Sequence, residues 1–454
     1  MTGNETTKSP IEPPSGNGSI AELTKGGVVM SSIRYRIIAV SVFMAFSLYL
    51  DRVCLSEIVK SNSFNNDVKL SKEQIGSILG SFFFTYALFQ VPAGWVSDRF
   101  GARKMLTGYI LAWSVLTALT GFMTTGSGLL LTRLGCGIAQ AGAYPTSNAV
   151  LRRWTRLEQR GLANSLISFG GRLGGTLAPI LTTMLILYIG GWRETLWLYG
   201  VIGILIAIGY WWTVRDRPAE HPSCDAAEQE YIGPHTDDRR PVVKDVLIML
   251  RACCTSRSLC LSSLSQFSIN IGWAFLITWL PTYLKESKDL DDKRGALMVT
   301  IILATGMLGQ LIGGWAADRS VRRFGLRIGR VLPISIACTI AGISYLCCPF
   351  IDSVWGVVTC LAIVSLMTDI GNPSVWGFMQ DVGGRNTGAI FGWANMWGNF
   401  GAAVSAIMFP KLLNYGAADG SGQTLVFIVC AGAFFVAAVA ALGMDATKPL
   451  KAGR

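Results

Sequence analysis

Histidine is almost missing from this sequence. The two that occur, His221 and His235, fall in one polar stretch. That leaves no His-based metal or catalytic site. Charge is scarce as well: 15% of the 454 residues are Asp, Glu, Lys or Arg, against 51% that are hydrophobic. Such a composition does not make a soluble protein. The cysteines lack metal-ligand spacing. Cys253-Cys254 and Cys347-Cys348 are adjacent pairs, and most others, such as Cys54, Cys136, Cys338 and Cys430, sit in apolar runs as small hydrophobes. No nucleophile–base constellation and no nucleotide loop is present, so neither an enzyme nor a bound cofactor is expected. The glycine-rich stretch Gly170–Gly175 lies in an apolar run, where close helix packing explains it. Residues 1–32 lack the apolar region and cleavage site of a signal peptide. Rich in Pro, Gly, Ser and Thr, they read as a disordered cytoplasmic tail.

What the chain has in abundance is apolar runs of the roughly 20 residues that cross a hydrocarbon core. Its mean hydropathy is +0.44. Aromatic residues are plentiful, as expected at membrane interfaces. The predicted fold class is an all-α polytopic membrane protein with twelve transmembrane helices. The spans fall at 35–57, 73–97, 104–124, 127–151, 161–187, 192–213, 258–284, 294–317, 330–350, 353–379, 386–412 and 423–444. A charged segment over 215–257 divides them into two six-helix halves, 33–214 and 258–445, with a short tail at 446–454. A repeat supports the division. Gln90, Gly94, Trp95, Asp98 and Arg99 match Gln310, Gly314, Trp315, Asp318 and Arg319, each set ending the second span of its half. Transporters built from repeats show such symmetry.

Lys and Arg orient the chain. They crowd the loops after even-numbered spans (Arg99, Arg103 and Lys104; Arg152, Arg153, Arg156 and Arg160; Arg319, Arg322, Arg323 and Arg327) and outnumber those in the other loops. The positive-inside rule then puts both termini and the central segment in the cytoplasm. The net charge of +11 is therefore topological, and a nucleic-acid partner is not expected.

The chain is organised around Leu50-Asp51-Arg52, inside the apolar run 37–58. A charge at that depth costs roughly 2.5–3.5 kcal/mol on insertion scales, so an intramembrane pair is a candidate functional site. Arg52, Arg133 and Arg172 are the basic residues that no tail, loop or span end accommodates. Polar residues share helix faces nearby: Arg133 with Gln140, Asn164 with Ser168 and Arg172, Tyr86 with Gln90, Gln266 with Asn270, Asn395 with Asn399. Asp369, Asn372 and Trp376 make a further face. Interhelical hydrogen bonding explains any single Asn or Gln as readily as ligand contact does. With Asp51 ionised, the three arginines leave an inner charge of about +2, suited to an organic anion that Arg clamps through its carboxylate.

Gly94, Asp98, Arg99, Gly101, Arg103 and Lys104 spell the Gly-x-x-x-Asp-Arg-x-Gly-x-Arg-Lys signature and resemble the major facilitator superfamily. That resemblance makes Gly94, Asp98, Arg99, Gly101 and Arg103, with Asp318 in the repeat, a conformational gate latching the cytoplasmic side. Leu50-Asp51-Arg52, the 86–95 and 113–121 stretches, Gln266-Phe267, 275–284 and 395–399 are similar to the anion:cation symporter family over roughly 35–445. That family includes sugar-acid symporters, sialin and the vesicular glutamate transporters. The similarity implies proton symport of a sugar acid by alternating access, in the cell membrane of a bacterium, by a monomer whose partners are the anion, protons and the bilayer. It assigns substrate contacts to Arg52, Tyr86, Arg133, Gln140, Gln266 and Asn395; spacing adds Arg172 and Asn270. Gln140 stands where proton-coupling members carry Glu, which leaves Asp51 as the coupling carboxylate. Two alternatives stay open. One is an organophosphate exchanger, which would want an Arg on the seventh span where Gln266 and Asn270 stand; the other is a non-transporting nutrient sensor.

Overall fold

The computed structural model describes residues 31–233, 245–280, 283–284, 292–415 and 421–450. The tail expected at 1–32 lies almost wholly outside them, as do His235 and part of the central segment. The described residues are helical, with no strand among them.

Helix α1 spans Ile33–Ile58 and is followed by the short α2, Asn62–Asp67. Helix α3, Lys72–Phe100, starts on a capping box in which Ser71 and Gln74 satisfy each other's backbone N–H. Helices α4 (Ala102–Thr120) and α5 (Gly126–Ala141) follow. The expected span at 127–151 is not one straight helix: the chain breaks at Gly142, and α6 runs Ala143–Trp154. Helices α7 (Arg160–Ile189) and α8 (Trp192–Thr213) complete the N-terminal group.

The central segment is more than a linker. It contains α9, Ala226–Ile232, and α10, Asp245–Thr255. Buried Glu228 on α9 caps the first turn of α1, accepting from the Ile33 and Arg34 N–H groups at 3.1 Å each and pairing with the Arg34 guanidinium at 3.1 Å. Helix α11 is Arg257–Ala274 and continues through a π turn over Phe275–Trp279. Helix α12, Asp292–Cys347, is two helices joined at Gly325, whose φ of 74° an L side chain resists. Helix α13, Val354–Gly383, stops at Gly384, and α14 (Thr387–Tyr415) and α15 (Ser421–Leu442) close the chain.

Among the described residues, eight helical stretches are long and apolar enough to cross a membrane, and two of them, of 54 and 62 residues, are well over twice the length of one crossing. The outer surface is apolar, with Phe84, Leu131, Leu187 and Val439 each more than two-thirds exposed. Water does not tolerate that much apolar surface on a monomer, whereas lipid does. Inside, glycines bring helices together. A Cβ on Gly170 or Gly174 of α7 would overlap the backbone of Val42 or Phe46 on α1. The glycine-rich stretch is therefore a packing seam. The protein is a multi-pass, all-α membrane protein.

Candidate functional site

A cavity of about 130 Å³ lies among seven helices, four from before the central segment and three from after it. Helices α1, α3 and α6 contribute Tyr49, Tyr86 and Tyr144, and α7 contributes Ser168 and Arg172. From the other side come Gln266, Asn270 and Trp273 on α11, Thr368, Asp369, Asn372 and Trp376 on α13, and Phe391 and Asn395 on α14. Five of the substrate residues expected from sequence thus line one cavity: Tyr86, Arg172, Gln266, Asn270 and Asn395.

Arg52, Arg133 and Gln140 form a layer behind the tyrosines. The Arg52 guanidinium lies 4.4 Å from the Tyr86 ring centre and 4.8 Å from that of Tyr49. It donates to Gln140 Oε1 at 3.5 Å, and Arg133 Nη2 donates to the Arg52 carbonyl at 3.2 Å. Among the described residues, neither Arg52 nor Arg133 has a carboxylate within ion-pair distance. Two desolvated guanidiniums held by π faces and neutral oxygens keep their affinity for an incoming anion.

The expected Asp51–Arg52 pair does not form. Successive residues on a helix point about 100° apart, and Asp51 turns away from the tyrosines toward Trp113 and Arg133. It is buried, and neither carboxylate oxygen accepts a hydrogen bond among the described residues. The ion pair in the cavity wall is instead Arg172–Asp369, at 2.6 Å, and Gln310 Nε2 also donates to Asp369 at 2.8 Å. Counting Asp369, the inner region holds three guanidiniums against two carboxylates, an excess of one positive charge where the sequence pointed to two.

The repeated motif closes one end of the molecule. Asp98, at the end of α3, accepts from the Gly388 and Ala389 N–H groups at 3.0 and 2.9 Å, at the start of α14. Asp318 on α12 accepts from Gly161 and Leu162 at 2.8 Å each, at the start of α7. Each carboxylate caps a helix of the other group, where the orphan N–H donors and the dipole favour an anion. Gly94 permits the approach, since a Cβ there would overlap the Gly388 carbonyl. Asp381 on α13 adds to the closure, pairing with both Arg160 and Arg330. Gly101 and Arg103 lie beside Asp216, just past the end of α8. The Arg103 N–H donates to Asp216 at 2.8 Å and its guanidinium to the Trp211 carbonyl at 2.7 Å, so they brace α4 against the end of α8 within the N-terminal group. Arg99 lies against Trp95 and Phe100 of its own helix.

Sequence reasoning missed Tyr49 and Tyr144. Tyr49 carried a signal, since it sits three before Arg52 on a spacing that shares a helix face; Tyr144 did not, because the break at Gly142 separates it from Gln140. Asn164 was grouped with Ser168 and Arg172, yet it faces Gln380 and Asn148 at the closed end.

Among curated proteins, the chain is 29% identical to the Cupriavidus necator protein described as "Probable sulfoacetate transporter SauU", over 90% of this chain and 93% of that one. It is 28% identical to the D-galactonate transporter of Escherichia coli O6:H1, over 84% and 88%. Among solved structures it resembles the human organic anion transporter MFSD10, with a TM-score of 0.65 at 16% identity, covering 90% of this chain and all of that one. The family model described as Major Facilitator Superfamily matches residues 41–406, and this chain belongs to that superfamily.

Proposed function

We propose that this secondary transporter carries an organic anion, a sugar acid in the first reading, together with protons, by alternating access at the cavity between the two helix groups. The observation that carries the reading is the cavity wall. Arg172 lines it, Arg52 lies against its tyrosines, and neutral hydrogen-bonding groups (Gln266, Asn270, Asn372, Asn395) line the opposite side. The guanidiniums suit a carboxylate and the amides suit hydroxyls. The names of the curated relatives point the same way. No arginine from α11 lines the cavity, which disfavours an organophosphate exchanger.

The volume favours the compact end of the class. An engineered cavity of about 150 Å³ holds benzene, so about 130 Å³ suits a short acid better than a six-carbon aldarate in this conformation. A two-carbon sulfonated acid, such as the relative's name prints, is the second reading.

The membrane arrangement in this proposal has twelve crossings. The two overlong stretches supply two each, divided near Gly325 and Gly384, while α4 and the broken α5–α6 supply the third and fourth. The halves are 33–214 and 258–445, both termini are cytoplasmic by the positive-inside rule, and the protein works as a monomer in the cell membrane. Tyr86, Arg172, Gln266, Asn270 and Asn395 contact the substrate from the cavity wall, and Arg52, Arg133 and Gln140 act on it from the layer behind the tyrosines; Asp51 carries a proton; Asp98 and Asp318 latch the cytoplasmic end.

A thermal-shift screen of the purified protein tests the substrate class. D-Galactonate, D-glucarate, D-galacturonate and sulfoacetate are compared with succinate and glucose 6-phosphate. A true ligand raises the melting temperature by mass action. The reading requires a shift from one of the first four; a shift from glucose 6-phosphate alone contradicts it.

A further inference from the structure

Two carboxylates, Asp51 and Asp369, lie near the cavity among the described residues, and they are not equivalent. Asp51 faces Trp113 and Arg133 behind the tyrosine layer. Asp369 lines the cavity, and it is the acidic residue among the lining groups. It stands on α13, and its partner Arg172 on α7, so the pair joins the two helix groups. The Arg172 side chain is 21% exposed, compared with 4% for Asp369. A ligand in the cavity therefore reaches the cation of the pair before the anion.

The surroundings of Asp369 are otherwise neutral. From α12 it meets Gln310 and the bare backbone at Gly306 and Gly309. Helix α11 offers Trp273, whose ring centre lies 5.0 Å from the Arg172 guanidinium, and α14 offers Phe391 and Asn395. The phenols of Tyr144 on α6 and Tyr49 on α1 are near Arg172. Arg160 and Arg330 are occupied by Asp381 at the closed end of α13. The protonation state of Asp369 therefore answers to Arg172 above all.

Resting on the anion-symport reading above, we propose that Asp369 is a second proton-coupling group, released to take its proton when the substrate anion captures Arg172. In the empty cavity Arg172 and Asp369 neutralise each other. An incoming carboxylate or sulfonate takes the Arg172 N–H donors, and Arg172 stays protonated throughout. Asp369 then faces an anion instead of a cation and takes one proton from cavity water, becoming a neutral acid. With a monoanion such as D-galactonate, one negative charge and one proton have entered and the charge of the site is unchanged; a dianion such as D-glucarate or sulfoacetate leaves one net negative charge after this proton is taken up. On the other side the anion leaves Arg172, the proton returns to water, and the ion pair re-forms.

Gln310 fits both states. Its Nε2 donates to the carboxylate, while its Oε1 is buried without a partner among the described residues. Rotation of the amide presents that oxygen to the Asp369 O–H once the acid forms. One side chain thus serves as donor before protonation and acceptor after it. The carboxylate that Gln140 removes from the N-terminal helices is thereby supplied from the C-terminal ones.

The test uses the full chain in proteoliposomes with an internal pH dye and labelled D-galactonate, D-glucarate or sulfoacetate. Asp369→Asn should lose one proton per anion and accumulate at least about tenfold less anion under a pH gradient, a larger loss than any it shows in substrate counterflow. Asp369→Glu should restore the wild-type ratio. If Asp369→Asn does not reach the membrane, Gln310→Leu carries the test. It should move the pH midpoint of coupled uptake by about one unit while counterflow persists; an unmoved midpoint overturns the proposal. A wild-type proton ratio in Asp369→Asn also overturns it and leaves symport standing. If the wild-type protein moves none of the three anions with protons, the symport reading falls and takes this proposal with it.

Discussion

Asp98 Oδ1 accepts the Gly388 N–H at 3.0 Å, tying the end of α3 to the first turn of α14. The same carboxylate holds Ala389, and Asp318 repeats the arrangement on Gly161 and Leu162. Two copies of one motif thus close one end of the molecule.

Asp98→Asn should slow turnover and spare binding. The amide keeps one acceptor and loses the other, a charge-assisted bond worth roughly 1.5–3 kcal/mol. The latched population should fall by about ten- to a hundredfold relative to the unlatched one. Turnover and equilibrium binding measured together check this. A loss of binding like that of an Arg52 variant would place Asp98 in the substrate site instead. Gly94→Val should act in the same direction, by wedging α3 from α14.

Much of the fold is legible in the amino-acid sequence. Apolar runs locate the helices, because a run of about 20 apolar residues has few other uses. The repeated Gln–Gly–Trp–Asp–Arg set locates Asp98 and Asp318, the two carboxylates that cap helix starts across the molecule. What the sequence withholds are relations between distant residues. Asp51 and Arg52 are neighbours in the chain and so look like a pair, yet helix geometry turns them to different surroundings. Arg172 and Asp369 form the actual pair, and no local pattern links residues on α7 and α13. Glu228 looks like one charge in a polar linker; its role at the start of α1 exists only once the chain has folded back. The break between α5 and α6 at Gly142 has its cause in Pro145, which has no N–H to bond the Ala141 carbonyl and whose ring crowds it, a signal that the apolar run around it hides.

Glu228→Ala should destabilise the N-terminal group. The carboxylate is fully buried, and its loss leaves the Arg34 guanidinium and two backbone N–H groups without this acceptor. Removing one member of a buried pair costs about 3–5 kcal/mol. The melting temperature in detergent should drop, with transport surviving below it. The same docking should weaken in acid. Asp225, which caps α9, is held below the usual aspartate range by hydrogen bonds from the Glu228 and then the Ser31 N–H. A carboxyl depressed on folding adds stability above its unfolded pKa of about 3.9 and loses it as pH falls through the folded value. Protease nicking of the central segment should therefore rise below about pH 4; a pH-independent nicking rate would contradict this.

Arg172→Gln should destabilise more than the double variant Arg172→Gln with Asp369→Asn. The single change strands a buried carboxylate, at a cost of about 3–5 kcal/mol, while the double change leaves two neutral groups able to bond each other. Thermal unfolding of the three proteins checks the order. Equal losses would mean that the two side chains do not depend on each other.

Asp51→Asn should lose one of the two coupled protons, lower proton-driven accumulation and keep counterflow, because Asp51 is a buried carboxylate without a hydrogen-bond partner among the described residues. Gln140→Glu should add a further pH-dependent step, since position 140 contacts Arg52. Uptake across imposed pH gradients, read beside counterflow, checks both. Accumulation by Asp51→Asn at the wild-type level would remove Asp51 from the coupling set.

The central claim is that an organic anion is held by the guanidiniums at this cavity and moved with protons. Its most direct test is uptake of labelled D-galactonate, D-glucarate and sulfoacetate by proteoliposomes acidified outside, for wild type and Arg52→Ala. The account predicts accumulation of at least one of these anions by wild type, abolished by a protonophore, and loss of about 100-fold or more in the variant, in keeping with roughly 3 kcal/mol for a charge-assisted anion contact. Uptake by Arg52→Ala at the wild-type rate, or no uptake of any of the three by wild type, would contradict it.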